Sequence, residues 1–136
     1  MSEDIQTGQR RKWRWLSRAI RASTKTDGPY MLGAVIVKGG AMLAAEPNRF
    51  RNHRATSDTG WSVHAEAAAL HAASRSHLAG ATLYVARITP AGRVGMAKPC
   101  AECEAAAAAA GITKVVYTTT DGGNATMRPQ MSSTAH

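Results

Sequence analysis

The sequence predicts an α/β protein in which helices pack on a mainly mixed sheet. Two observations carry this. Segments rich in β-formers, at 31–37, 81–88 and 112–118, alternate with segments of helical pattern at 10–25, 64–76 and 100–110. The chain has 136 residues, 44% of them hydrophobic, which suits one domain with a single modest core.

Each element has its own reason. Residues 1–9 are expected to be disordered. From Arg10 to Lys25, Trp13, Leu16 and Ile20 recur at helical spacing, and Arg11, Arg14, Arg18, Arg21 and Lys25 form a second stripe of the same period. This is a basic amphipathic helix, docked by its apolar side. After the Asp27-Gly28-Pro29 break, Met31 to Val37 reads as a buried strand. Lys38-Gly39-Gly40-Ala41 is a hairpin signal leading into Met42 to Ala45. Residues 47–62 read as a polar loop, long enough to be functional.

His64 to Ser76 is mostly alanine and reads as a helix. Ala81 to Ile88 reads as a strand, and Thr89-Pro90-Ala91-Gly92 as a turn into a short hairpin reaching Lys98. Pro99 opens a helix from Cys100 to Ala110, which Gly111 ends. Its alanine run needs no function, since alanine is the best helix former. Ile112 to Thr118 is the last clear strand. The expected domain is therefore 10–119, with 120–136 a flexible tail.

The bulk numbers narrow the class. Nothing approaches the run of about 18 apolar residues that spans a bilayer, and the N-terminus lacks the apolar stretch of a secretory signal. A cytoplasmic protein with no membrane partner is the expectation. The formal net charge is +8, with a pI near 10.2. Such a field attracts polyanions or phosphorylated substrates, although it also simply keeps a protein soluble. Seven of the 17 basic residues lie between Arg10 and Lys25, where there is no acid.

The two cysteines, Cys100 and Cys103, read as metal-binding or redox-active in a reducing compartment. Their i, i+3 spacing sets both thiols on one face of a helix's first turn. The positive end of the helix dipole there favours thiolate, the form that binds metal. His64, also at a predicted helix start, supplies a third ligand for Zn2+. Three protein ligands leave the fourth position to water, the pattern of a catalytic zinc. Glu66 lies two residues further on. On a regular helix it would sit roughly 200° around from His64. At a helix start, with the ion beyond the terminus, Glu66 reaches the water without touching zinc, as a general acid–base residue must. A redox role for the cysteines would leave His64 and Glu66 unexplained. His53, His71 and His77 read as surface or satisfied core residues; His71 is about 10 Å along the helix from His64.

The ordered set His64-Ala65-Glu66, an intervening strand, then Pro99-Cys100-Ala101-Glu102-Cys103 is the H-x-E … P-C-x-x-C signature of zinc deaminases. The sequence resembles the cytidine deaminase-like superfamily, which includes deoxycytidylate deaminases, tRNA adenosine deaminases and polynucleotide cytosine deaminases. Gly33-Ala34-Val35, Asn48, Leu83-Tyr84-Val85 and Gly111-Ile112 leading into Val115-Val116-Tyr117 complete the match, over roughly residues 30–119. The resemblance implies a three-layer α/β/α fold around a mixed sheet of four to five strands, in the order 2-1-3-4 and often a fifth. It implies addition of a metal-activated water to C4 of cytosine or C6 of adenine, with Glu66 relaying protons. It places the backbone of Ala65 against the base and Asn48 against the sugar or base. It also implies a homo-oligomer. Histidine as first ligand is nearer the deoxycytidylate and tRNA-type branches. Three features depart from the pattern: Glu46-Pro47 before Asn48, the insertion 87–98, and the little hydrophobic pattern after Thr118, which puts a fifth strand in doubt.

Three functions compete. The first is deamination of a cytosine nucleoside or nucleotide, with Arg49, Arg51 and Arg54 available for a phosphate. The second acts on cytosine or adenine within RNA or single-stranded DNA, drawing on the basic helix and on Trp15 and Trp61 as stackers, Trp13 being core. The third is a non-catalytic binding subunit stabilised by zinc, which an intact Glu66 argues against.

Overall fold

The computed structural model describes residues 2–26, 31–50 and 62–131. Its elements are α1 (Ser2–Ser23), β1 (Met31–Lys38), β2 (Ala41–Pro47), β3 (Arg49–Phe50), β4 (Ser62–Val63), α2 (Ala65–Ala72), β5 (Thr82–Ile88), β6 (Val94–Gly95), α3 (Ala101–Ala110), β7 (Lys114–Thr118) and β8 (Asn124–Met127).

Alternation along the strands builds the layers. Successive strand residues point to opposite faces, so a run with no polar residue needs cover on both sides. From β1, β5 and β7, the side chains Ala34, Ile36, Leu83, Val85 and Val115 join Ala65, Ala69 and Ala107 of α2 and α3 in one core. Their neighbours Val35, Val37, Tyr84, Ala86 and Val116 meet Trp15, Leu16 and Ala19 of α1 in the other. The result is the expected three-layer α/β/α arrangement.

The main sheet runs β2-β1-β5-β7-β8, with β6 added against β5. β5 and β7 are parallel; the other pairs are antiparallel, so the sheet is mixed. With β5, β7 and β8 as third, fourth and fifth strands, this is the order the resemblance implies. β3 and β4 form a separate two-stranded ribbon. All of it but Val63 lies inside the 47–62 stretch expected to be loop.

Several boundaries differ from the sequence reading. The first helix begins at Ser2, not after residue 9. Once packing fixes the Trp13–Ile20 region, a helix propagates outward cheaply wherever no proline stops it. The expected helix 64–76 ends at Ala72. The third helix begins at Ala101, with Cys100 as its cap rather than its first turn.

The region after residue 120 is not simply a tail. Asn124–Met127 pairs with β7 as the fifth strand that the hydrophobic pattern put in doubt. The turn feeding it is polar: the Asp121 carboxylate accepts bonds from the Thr119 hydroxyl and the Gly123 N–H. These two bonds hold the Asp121 carboxyl below its ordinary range. Beyond it Pro129 is buried, and the Gln130 N–H donates to Glu104 Oε2 of α3 at 2.9 Å. An edge strand anchored by backbone pairing needs no apolar stripe, so periodicity could not reveal it.

Trp15 was a candidate stacker. It is buried, at 9% exposure, tilted against Tyr84 with 6.5 Å between ring centroids. The reason is its place on the wheel, beside Ala19 and Ala22 on the docked face. Trp13 packs at the edge of the same core, as expected. The Asp27-Gly28-Pro29 break, His53, Arg54 and Trp61 lie outside the described residues.

Candidate active site

Both α2 and α3 are capped by a candidate metal ligand. His64 is the N-cap of α2 and Cys100 the N-cap of α3, each with extended backbone. Cys100 does a serine's work there, its Sγ accepting the Cys103 N–H at 3.5 Å. His64 Nδ1 lies 3.2 Å from Cys103 Sγ and 3.7 Å from Cys100 Sγ. The three ligand atoms lie within 4.8 Å of one another. Tetrahedral zinc, with bonds of about 2.0–2.3 Å, needs such atoms roughly 3.6–3.8 Å apart. The donor set and the spacing therefore fit zinc.

Cap geometry also removes the angular objection to Glu66. His64 precedes the helix, so the 100° step does not relate it to Glu66. Glu66 is 4% exposed, and its Oε1 is buried without a hydrogen-bond partner among the described residues. Burial pushes its carboxyl pKa up; the backbone N–H of Glu66 itself and the charge of His64 offset this only in part. An unpaired buried carboxylate oxygen costs about 1–3 kcal/mol, so this atom is set to take a partner that the described residues do not supply.

Burial also pushes the Cys103 thiol far up, helped by the nearby Glu66 charge and then by Cys100. The thiol of the metal-free protein therefore keeps its proton at neutral pH, while the metal-bound form needs thiolate. Zinc uptake is expected to release protons, and apparent zinc affinity to rise about tenfold per pH unit for each proton displaced. A chelator-competition titration between about pH 6 and 8 checks this; a flat profile would contradict it.

Three of the four remaining candidates, Asn48, Arg49 and Ala65, lie at the ribbon and at the start of α2. Arg49 pairs with Val63, so continuing the register by one residue sets Asn48 opposite His64. Asn48 is buried, and its side chain is partly committed: Oδ1 accepts the Leu32 N–H at 3.1 Å, while its backbone N–H donates to Leu32 O at 2.9 Å. The other end of the amide, Nδ2, is a donor. Ala65 is fully buried at the first position of α2. Arg49 is exposed and forms a surface ion pair with Glu46 at 3.2 Å. Arg51 lies outside the described residues. His71 and His77 are exposed and not among the metal-ligand group.

Sequence reasoning missed Thr118. It is fully buried; its hydroxyl donates to Gly95 O at 2.7 Å and accepts the Arg87 N–H at 3.2 Å. Its carbonyl takes the Ala97 N–H at 2.9 Å. Thr118 thus clamps the β5–β6 hairpin to β7, and the clamped strand runs on through Pro99 to Cys100. A polar residue ending the apolar run Val115-Val116-Tyr117 was the available signal. Thr118→Val is expected to cost about 1–3 kcal/mol, lowering the thermal midpoint by several degrees, while Thr118→Ser retains stability. Calorimetry on both variants checks this.

The profile of the family described as "Cytidine and deoxycytidylate deaminase zinc-binding region" matches residues 9–119. The chain belongs to this family. As a member it is a zinc-dependent hydrolytic deaminase of cytosine compounds, and His64, Cys100 and Cys103 form its possible zinc site. Among solved structures, the dCMP deaminase from the cyanophage S-TIM5 is 25% identical, with TM-score 0.60 over 80% of this chain and 82% of that one. The same phage enzyme has also been solved in complex with dCMP and dUMP. A cytidine deaminase from Burkholderia pseudomallei is 22% identical, with TM-score 0.63 over 84% of this chain and 89% of the other, and shows the shared fold. No curated protein matches the chain. No helix among the described residues is long and apolar enough to cross a membrane.

Proposed function

We propose that this deaminase converts the cytosine of a free nucleoside or nucleotide to the uracil form, releasing ammonia. The observation that carries it is one buried carboxylate, Glu66, with an unpartnered oxygen beside three convergent metal ligands. Zinc, when bound, supplies the Lewis acidity that makes water a nucleophile near neutral pH.

The residues have separate tasks in this reading. Water oxygen adds to C4 while Glu66 takes a water proton and delivers it to N3. Glu66 then carries the remaining proton from the new C4 hydroxyl to the exocyclic amine, and the C4–N bond breaks to leave the C4 carbonyl and ammonia. Its raised pKa suits a group that must both accept and give protons near neutrality. The Asn48 amide and the Ala65 backbone orient the nucleoside in this reading, and Arg49 and Arg51 are the basic residues assigned to a phosphate. The net charge of +8 favours the phosphorylated substrate.

The test is incubation of the zinc-loaded chain with cytosine, cytidine, deoxycytidine, their monophosphates, adenosine, a single-stranded DNA and a tRNA pool. Mass spectrometry reads the gain of about one dalton as amine becomes carbonyl. Product from a cytosine monomer supports the proposal. Product only from polymers moves the substrate to nucleic acid, and no product with zinc bound leaves either an unlisted base or the non-catalytic subunit.

A further inference from the structure

The largest feature the active site does not use is the outer side of α1. Arg10, Arg11, Arg14, Arg18 and Arg21 are all exposed. At 100° per residue they occupy an arc of about 100° and a length of about 17 Å. Lys25, in the turn that follows, extends the row. None of the six has an acidic partner among the described residues, where Arg49–Glu46 is the ion pair found. Neighbours three and four apart on a helix repel when alike in charge, so the isolated chain gains nothing from this row.

The stripe is also outside the chemistry. α1 covers the Val35, Tyr84 and Val116 face of the sheet, whereas the metal ligands cap helices on the Ala34, Leu83 and Val115 face. Its C-terminal end does approach the site's edge, where the Thr26 hydroxyl donates to Asn48 O at 2.7 Å.

We propose that the solvent face of α1 is a docking surface for the phosphate backbone of nucleic acid, separate from the catalytic pocket. Five guanidinium groups over about 17 Å give a charge roughly every 4 Å, near the 3.4 Å per strand of a duplex. Guanidinium is the cation suited to bidentate phosphate contact. The helix offers charge and not bases' stacking partners, because Trp15 is buried with the Arg14 guanidinium 5.2 Å over its ring. Recognition is therefore of the backbone, without base preference. A membrane is the weaker fit, since the apolar side that would insert is already committed to Leu16, Ala19 and the sheet.

The probe is labelled oligothymidylate, which carries no exocyclic amine and so reports docking whether or not the deaminase reading holds. Fluorescence anisotropy with the zinc-loaded full chain is expected to show binding that weakens about a hundredfold from about 50 to about 200 mM salt, the slope for five single-strand contacts. A duplex of equal length is expected to bind comparably. The triple variant R10E/R18E/R21E, which leaves the Arg14–Trp15 contact in place, should lose at least tenfold in affinity while keeping zinc content and thermal midpoint. R18Q/R21Q, which removes repulsion between neighbours three apart, should weaken binding with an equal or higher midpoint. Binding unchanged in both variants overturns the proposal. So does equal affinity for polyglutamate or for anionic phosphatidylserine vesicles, which would assign the stripe to an acidic protein or a membrane.

Discussion

Glu66→Gln is expected to lower kcat by about 10²–10⁴ while leaving zinc bound at full occupancy. The side chain touches none of the capping hydrogen bonds that set the ligands, and glutamine keeps its shape and place in the α2 turn. What it loses is the capacity to take and return a proton. That range corresponds to about 3–5 kcal/mol of transition-state stabilisation, with the substrate's KM little changed. A second consequence separates a catalytic carboxylate from a structural one. Glu66 is buried with Oε1 unpartnered, so neutralising it should relieve a desolvation cost. We expect the glutamine variant to be more stable by about 1–2 kcal/mol, raising the thermal midpoint by a few degrees. Metal analysis, steady-state kinetics and calorimetry on one preparation check all three. Retained turnover would remove Glu66 from the mechanism, and loss of zinc would make it part of the metal site.

Gly33→Ala is expected to give the largest loss of stability of any glycine-to-alanine change among the described residues. A Cβ at Gly33 would lie 1.9 Å from the Ala19 carbonyl oxygen, 2.7 Å from Ser23 N and 2.9 Å from Ala19 C. All three are backbone atoms of α1, so no rotamer change relieves them. The helix must retreat from the sheet, opening the core of Leu16, Ala19, Val35 and Tyr84. Overpacking of this kind costs about 3 kcal/mol or more, a midpoint drop on the order of 10 °C. Gly39→Ala is the comparison. Gly39 has φ of 59° and open space around its Cβ position, so its cost is the left-handed penalty of about 1–2 kcal/mol alone. If the two variants unfold together, the close approach of α1 to β1 is not what Gly33 serves. Zinc binding should survive Gly33→Ala better than stability does, since α2 and α3 lie on the other face.

The sequence by itself determined the chemistry and the order of layers. His64, Cys100 and Cys103 are ligand types with metal affinity wherever they meet, and their placement beside alanine-rich helical segments announced two helix starts. The apolar runs of β1, β5 and β7, alternating with helical segments, marked buried strands with helices packed on them, and the family resemblance implied the three layers. Local pattern is enough for such features because helix and strand periods are properties of a few adjacent residues. Tertiary structure decided the rest. Only the fold shows that Cys100 and His64 are caps, which makes the wheel angle between His64 and Glu66 irrelevant. Asn48 comes opposite His64 through a two-residue ribbon too short to leave a period. Thr118 becomes a clamp because Gly95 and Arg87 arrive from another strand. Trp15 was exposed or buried according to which side of α1 the sheet took. β8 exists by pairing with β7, a long-range backbone interaction that its own side chains do not encode. Each depends on contacts between residues far apart in sequence, and those energies exist only once the chain has closed on itself.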